Sequence, residues 1–166
     1  MIQNIGIVGS GQMGVGIAHV AALADRNIVL LDVNEAALSK ASETIERNIQ
    51  RQVSRGKLED GAAERALKRI TTTTDYSDFN AADLVIEAAT ENEDIKRKIF
   101  ETLVPNLSKE ALIASNTSSI SITRLAATTD RPGQFIGMHF FNPVPIMQLV
   151  ELIRGIATED ATFTEI

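Results

Sequence analysis

The string Gly9-Ser10-Gly11-Gln12-Met13-Gly14 constrains the fold more than any other part of the sequence, because of where it stands. The apolar run Ile5–Val8 before it has the pattern of a buried strand, and residues 12–24 have the apolar spacing of a helix. In such a unit the first glycine allows a tight turn, the second lets a ligand approach the backbone, and the third lets the helix pack on the strand. Glycine turns are common, but this placement predicts a phosphate-binding turn.

Asp32 ends the next predicted strand, residues 28–32, about 20 residues beyond the glycines. A carboxylate at this place accepts hydrogen bonds from the adenosine ribose hydroxyls and repels a 2′-phosphate, so it favours NAD over NADP. The alternative is a glycine-rich turn followed by an aspartate that caps a helix. Because strand, glycines, helix and acid stand in order, we predict an NAD site that includes Ser10, Gln12 and Met13.

Strand-like and helix-like periods of hydrophobicity alternate along the chain. The predicted strands are residues 5–8, 28–32, 70–73, 82–88, 111–115, 135–140 and 148–153. The predicted helices are residues 12–24, 35–55, 62–68, 92–103 and 120–126, and a last helix begins with Thr158 as its N-cap. The alternation predicts one α/β domain over residues 1–166, with a Rossmann-like, doubly wound, mostly parallel sheet and helices on both faces.

Charge and composition exclude several classes of function. The chain carries 16 basic and 22 acidic residues, so it is a poor general binder of nucleic acid or of an anionic membrane. It has no cysteine and only two histidines, which excludes thiolate catalysis, and we expect no metal site. The apolar N-terminal run is broken by glycines and lacks a basic start, so we expect a cytoplasmic protein without a signal peptide or membrane span.

His139 and Glu151 are the candidate catalytic pair. His139 stands near the end of the predicted strand 135–140, and doubly wound sheets bind ligands at the carboxyl ends of their strands. Imidazole titrates near neutrality, so this side chain can take the proton of an alcohol as hydride leaves the carbon. Glu151 lies in the apolar run 149–153, and a buried carboxylate needs a partner. The alternative is a structural histidine and a glutamate that faces water.

Four strings in order resemble the 3-hydroxyacyl-CoA dehydrogenase family, including its 3-hydroxybutyryl-CoA enzymes, over essentially the whole chain. They are the glycine string, Thr90-Glu91-Asn92, Ser115-Asn116-Thr117-Ser118-Ser119 and His139-Phe140-Phe141-Asn142-Pro143. The resemblance implies reversible oxidation of an L-3-hydroxyacyl-CoA to the 3-oxoacyl-CoA with NAD, in fatty-acid or butanoate metabolism. It leaves the direction of the reaction and the acyl chain length open.

The resemblance also implies roles for individual side chains. His139 is implied as the catalytic acid and base, with Glu151 as the residue that orients it. Ser118 and Asn142 are implied near the substrate oxygens and the nicotinamide, where neutral donors can hold an oxygen that gains charge.

Two further sets of charged residues have two interpretations each. Glu91 and Lys96 are implied beside the cofactor by the resemblance, or they are ordinary charges at the start of a helix. Three arginines recur every four residues on one face of the predicted helix 35–55: Arg47, Arg51 and Arg55. The resemblance implies a contact surface for the phosphates of coenzyme A, and the alternative is a solvent-exposed face paired with Glu43 and Glu46.

Two rival functions and one question of completeness stay open. One rival is another Rossmann dehydrogenase, acting on a free hydroxy acid or a sugar nucleotide, which the strings 115–119 and 139–143 disfavour. The other is a non-catalytic NAD-binding module, which would not need His139 and Glu151 together. The resemblance also implies a C-terminal helical domain that closes the substrate cleft and carries the dimer contact. We therefore expect a truncated chain that binds NAD with little activity and forms a homo-oligomer only with that domain.

Overall fold

The computed structural model describes all 166 residues, which form seven strands and six helices. The strands are β1 (Asn4–Val8), β2 (Asn27–Leu31), β3 (Ile70–Thr73), β4 (Leu84–Glu87), β5 (Leu112–Ser115), β6 (Phe135–Phe140) and β7 (Val150–Arg154). The helices are α1 (Gln12–Leu23), α2 (Glu35–Ser54), α3 (Ala62–Lys68), α4 (Glu93–Leu103), α5 (Ile122–Ala126) and α6 (Asp160–Glu165). None of these helices has both the length and the apolar character that a membrane span requires.

The seven strands form one sheet in the order β3-β2-β1-β4-β5-β6-β7. All neighbouring pairs are parallel except β6 and β7, which pair antiparallel. The chain moves outward from β1 in one direction through β2 and β3, then returns and moves in the other direction from β4. This confirms the predicted Rossmann-like, doubly wound fold. It also creates a crevice between the carboxyl ends of β1 and β4, where ligands of such sheets bind.

Alternate residues of the five inner strands enter two hydrophobic clusters, one on each face of the sheet. In β4, Leu84 and Ile86 pack with α1, α2 and α3, whereas Val85 packs with α4 and α5 on the other face. This two-sided burial follows from the period of two along a strand. It explains why β4 and β5 read as continuous apolar runs in the sequence.

Asparagine side chains cap the N-termini of two helices. The Asn34 side chain accepts hydrogen bonds from the amides of Ala36 and Ala37 at the start of α2, and that of Asn92 accepts from Ile95 in α4. Such caps satisfy amides that have no partner within the helix. Asn92 was predicted inside the helix and instead lies just before it.

The prediction of Thr158 as an N-cap is wrong. The last helix, α6, begins two residues later, with Glu159 at its N-cap position. The Thr158 hydroxyl donates to the Phe135 carbonyl over 2.7 Å and accepts from the Gly155 amide over 2.8 Å. The bond to Phe135 joins the segment after β7 to the start of β6, so the hydroxyl does not form the helix cap that the sequence suggested.

A buried histidine in α1 contacts α2. His19 is 1% exposed; its Nε2 lies 3.2 Å from Gln52 Oε1, and its Nδ1 has no hydrogen-bond partner. Burial lowers the pKa of His19 from 6.5, and the hydrogen bond with Gln52 opposes this only in part. The folded protein therefore holds this ring neutral at a pH where an unfolded chain would already take up a proton.

Replacing His19 with leucine should make stability less sensitive to acid. In the wild type, the unfolded state binds more protons than the folded state below pH 6.5, so the free energy of unfolding falls as the pH is lowered through that value. The His19→Leu variant lacks this difference. Urea unfolding at about pH 7 and about pH 5.5 should show the smaller decrease in the variant. Equal decreases in both proteins would contradict the assignment.

Candidate cofactor and catalytic site

The glycine turn, Gly9–Gly14, joins β1 to α1 through two close approaches of backbone to backbone. Gly9 has a φ of +102°, and a Cβ added there would lie 2.6 Å from Ala89 Cα. A Cβ on Gly14 would lie 1.8 Å from the Gly9 carbonyl oxygen. The space beside Gly11 is open, with no atom within 4 Å of an added Cβ. The turn therefore brings the α1 N-terminus close to β1 and leaves its middle glycine accessible to a ligand.

Asp32 lies beside the glycine turn, at the end of β2. Its Oδ2 accepts hydrogen bonds from the Ser10 amide over 2.9 Å and from the Ser10 hydroxyl over 2.7 Å, and its Oδ1 accepts from the Asn34 amide over 3.1 Å. Partial burial raises the pKa of the Asp32 carboxyl, but the hydrogen bonds from Ser10, Asn34 and Val33 outweigh it and hold the pKa below its ordinary value. The carboxylate is thus charged and oriented, with lone pairs left for further donors.

Two clefts flank the glycine turn. The main cleft, about 530 Å³, lies between the turn, α2 and the loop 142–145, and its lining includes Ser10, Gly11, Lys40, Thr44 and Asn142. The inner crevice, about 240 Å³, lies at the switch point between β1 and β4, and its lining includes Gly11, Met13, Ala89, Glu91, Lys96 and Asn116. Gln12 lines both. Gly11 lines both as well, so the middle of the glycine turn is accessible from two sides.

His139 and Glu151 are directly opposite each other on β6 and β7. His139 Nδ1 lies 2.9 Å from Glu151 Oε2, and the two side chains are 19% and 52% exposed. The His139 ring also contacts that of Phe141, with centroids 4.6 Å apart. Side chains opposite each other in an antiparallel pair are close enough to interact, so the register of β6 and β7 positions this pair.

Hydrogen bonds hold the Ser115–Ser119 segment against its neighbours. The Asn116 side chain accepts from the Phe140 amide over 2.8 Å, which ties the end of β5 to the residue after His139. Glu91 accepts from the Thr117 hydroxyl over 2.7 Å and from the Ser118 amide over 3.0 Å. Ser118 is exposed, and its hydroxyl has no partner within the chain. The predicted residues Glu91 and Ser118 are thus brought into direct contact.

Lys96 is not an ordinary charge at a helix start, since its side chain is 1% exposed and ion-paired to Glu87, with Nζ and Oε2 2.5 Å apart. Ser115 donates to the same carboxylate oxygen. Neither Glu87 nor the side chain of Ser115 was predicted as part of the site. Two signals were available: Glu87 ends an apolar run, and Lys96 shares the apolar face of α4 with Phe100 and Leu103.

The three arginines of α2 have different surroundings. Arg51 and Arg55 line a basic cleft of about 430 Å³, together with Lys57, His19, Pro143 and Pro145. This cleft continues the main cleft, since Asn48, Pro143 and Pro145 line both. Arg47 lies outside it and donates to the Thr44 hydroxyl. All three side chains are exposed, as a solvent-exposed face requires, but no ion pair joins them to Glu43 or Glu46.

Comparison with known proteins gives concordant matches. Residues 4–166 match the family model "3-hydroxyacyl-CoA dehydrogenase, NAD binding domain". A 3-hydroxybutyryl-CoA dehydrogenase of Bradyrhizobium diazoefficiens is 56% identical over 163 residues, which are 98% of this chain and 56% of that protein. A 3-hydroxyadipyl-CoA dehydrogenase of Escherichia coli is 44% identical over 95% of this chain and 33% of its own length. The (S)-3-hydroxybutyryl-CoA dehydrogenase PaaH1 from Ralstonia eutropha has a TM-score of 0.97 at 49% identity, covering 99% of this chain and 58% of that one.

The matched relatives are longer than this chain. It spans 56% of the Bradyrhizobium protein and 58% of the Ralstonia structure. The matched part contains the whole sheet, from β1 to β7.

Alanine at Gly14 and at Gly11 should have opposite effects. Gly14→Ala should lower the free energy of unfolding by about 2–3 kcal/mol, because the new methyl group overlaps the Gly9 carbonyl. Gly11→Ala should leave stability nearly unchanged but weaken NADH binding at least ~10-fold, because the methyl group enters the open space beside the turn. Urea unfolding and NADH fluorescence titration measure the two effects. Equal loss of stability in both variants would show that the turn is not built as described.

Proposed function

Because the chain belongs to the 3-hydroxyacyl-CoA dehydrogenase family, we propose that it is the cofactor-binding part of an enzyme that interconverts an L-3-hydroxyacyl-CoA and the 3-oxoacyl-CoA. The observation that carries this proposal is the His139–Glu151 pair, whose Nδ1–Oε2 distance is 2.9 Å. The pair lies at the carboxyl end of β6, on the same edge of the sheet as the glycine turn after β1. A group able to move a proton is thus placed at the edge that binds the cofactor.

The cofactor of the family is NAD, and the residues of this chain fit it. Gly11 leaves room for the pyrophosphate at the N-terminus of α1. Asp32 presents a charged carboxylate to the adenosine ribose and would repel a 2′-phosphate. When bound, NAD supplies hydride acceptance and donation at its nicotinamide ring.

His139 is proposed as the acid and base. A carboxylate only accepts hydrogen bonds, so His139 Nδ1–H donates a hydrogen bond to Glu151, and Nε2 of the neutral ring is left with a free lone pair. Nε2 can then take the hydroxyl proton of the alcohol during oxidation and return it during reduction. Glu151 fixes this tautomer and stabilises the imidazolium that forms.

Ser118 and Asn142 are proposed to hold the reacting oxygen and the nicotinamide end. The Ser118 backbone is fixed by Glu91 while its hydroxyl is free to turn to a ligand. Asn142 lines the main cleft with Ser10 and Gly11. Neutral donors held in place by the fold can stabilise an oxygen that gains negative charge without taking its proton.

Acyl-CoA is proposed as the substrate class, and the basic cleft supports this proposal. Arg51, Arg55 and Lys57 concentrate positive charge there, although the chain as a whole is acidic. Phosphate groups of coenzyme A match such a site. The continuous main cleft gives the acyl arm a path toward the sheet edge. Several relatives are named for 3-hydroxybutyryl-CoA. The specific proposal is therefore a substrate with a short acyl chain and a role in fatty-acid or butanoate metabolism.

Replacing His139 should remove turnover while cofactor binding persists. In the longest natural form of the protein, His139→Ala should lower kcat for acetoacetyl-CoA reduction at least ~100-fold, because no group returns the proton. Glu151→Gln should lower kcat as well, since the imidazolium loses its charged partner. NADH titration serves as the control and should give a Kd within about twofold of the wild type. A near-normal kcat in the alanine variant would refute the role of His139.

The α2 arginines provide a matched test of the substrate site. Arg51→Ala and Arg55→Ala should each raise the KM for acetoacetyl-CoA about fivefold or more, because a charged contact to phosphate is lost, whereas Arg47→Ala should not. With the N-acetylcysteamine thioester, which lacks the nucleotide, all three variants should match the wild type. An Arg47 effect as large as the others, or an effect that persists with the truncated thioester, would contradict the proposal.

A further inference from the structure

A buried ion pair lies directly behind the inner crevice. Glu87 and Lys96 are 0% and 1% exposed, and Glu87 Oε2 lies 2.5 Å from Lys96 Nζ. The Ser115 hydroxyl donates to the same oxygen over 2.8 Å, and the Ala89 amide donates to Oε1 over 2.9 Å. Both carboxylate oxygens are thus bonded, and their partners come from α4, β5 and the segment after β4.

We propose that Glu87 is a positioning residue of the cofactor site, whose carboxylate holds the Lys96 ammonium and the segment 88–91 against the glycine turn. Ala89 is the first link to the turn, since its Cα would lie 2.6 Å from a Cβ on Gly9. Any shift of Ala89 therefore reaches the glycine turn directly. Lys96 is the second link, because it lines the inner crevice together with Gly11.

The hydrogen-bond capacity of Lys96 shows how the pair serves a ligand. An ammonium group has three donors. Glu87 accepts one, and the Ser115 hydroxyl, 3.4 Å away, accepts a second over a long distance. One donor is left on a side chain that lines the inner crevice, where the nicotinamide half of the dinucleotide offers ribose oxygens. The ion pair with Glu87 fixes the position of the ammonium group beside this crevice.

Stability alone does not account for these charges. A buried ion pair is commonly no more stabilising than well-packed apolar side chains of the same volume. Lys96 lies on the apolar face of α4 with Phe100 and Leu103, where an apolar residue would pack. A requirement at the inner crevice explains why a lysine and its counter-ion stand there. This inference rests on the family's cofactor and not on the acyl-CoA reaction.

Glu87→Gln in this chain tests the proposal, because glutamine has the same shape without the charge. The Kd for NADH, measured by fluorescence titration, should rise at least ~10-fold. The Kd for AMP, measured by calorimetry, should stay within about twofold, because AMP occupies only the Asp32 side of the glycine turn. A general loss of structure would weaken both ligands, so the difference between them isolates the positioning role.

Two further variants keep the test decisive. Glu87→Asp retains the charge but shortens the side chain, so it serves if the glutamine variant does not fold, and it should show the same selective loss of NADH. Ser115→Ala is the matched control, since it leaves the ion pair in place, and its Kd for NADH should stay within about threefold. Thermal unfolding of each variant confirms that the folded state is being titrated.

Three results would overturn the proposal. A folded Glu87 variant that binds NADH within about twofold of the wild type would show that the carboxylate does not position the site. Equal weakening of NADH and AMP would assign Glu87 a purely structural role. A loss in Ser115→Ala as large as in the Glu87 variants would show that the hydroxyl, not the charge, matters. None of these results affects the test of His139, which measures kcat for acetoacetyl-CoA reduction.

Discussion

The close packing of α1 on β1 through the glycine turn is the constraint on which the rest of the structure depends. A side chain at Gly14 would overlap the Gly9 carbonyl, and one at Gly9 would overlap Ala89. The helix can therefore begin immediately at the sheet edge, with its N-terminal amides facing the switch point between β1 and β4. Asp32, the inner crevice and the loop carrying Asn142 are all arranged around this one junction.

Most of the fold could be predicted because its determinants are local. Apolar runs with a period of two or 3.6 identify strands and helices wherever the side chains of one element share an environment. The predicted helix 62–68 and the predicted strands 70–73 and 135–140 agree with the structure residue for residue. The glycine spacing and the acid at the end of β2 also belong to one short segment, so Asp32 could be placed beside the turn.

The parts that could not be predicted depend on contacts between distant segments. The Glu87 carboxylate meets Ser115 only because β4 and β5 are neighbours in register, and this pairing is a property of the whole sheet. Thr158 has the residue type of an N-cap, but its hydroxyl instead bonds to the distant Phe135 carbonyl in β6 and to the amide of Gly155, just after β7. The α2 arginines share a helical face, yet only Arg51 and Arg55 line the basic cleft, whereas Arg47 donates to the Thr44 hydroxyl.

Two pairs of a carboxylate and a basic side chain lie near the carboxyl edge of the sheet, and their burial separates what they can do. Glu87 lies in β4, a central strand covered on both faces, whereas Glu151 lies in β7, the edge strand, and is 52% exposed. In the first pair, loss of one charge would leave the other unpaired in an apolar core, so the pair is suited to holding a fixed geometry. In the second, both side chains are partly exposed to solvent, as the acid and base role proposed for His139 requires. The position of each strand in the sheet thus sets the burial of each pair, and the burial agrees with the role proposed for it.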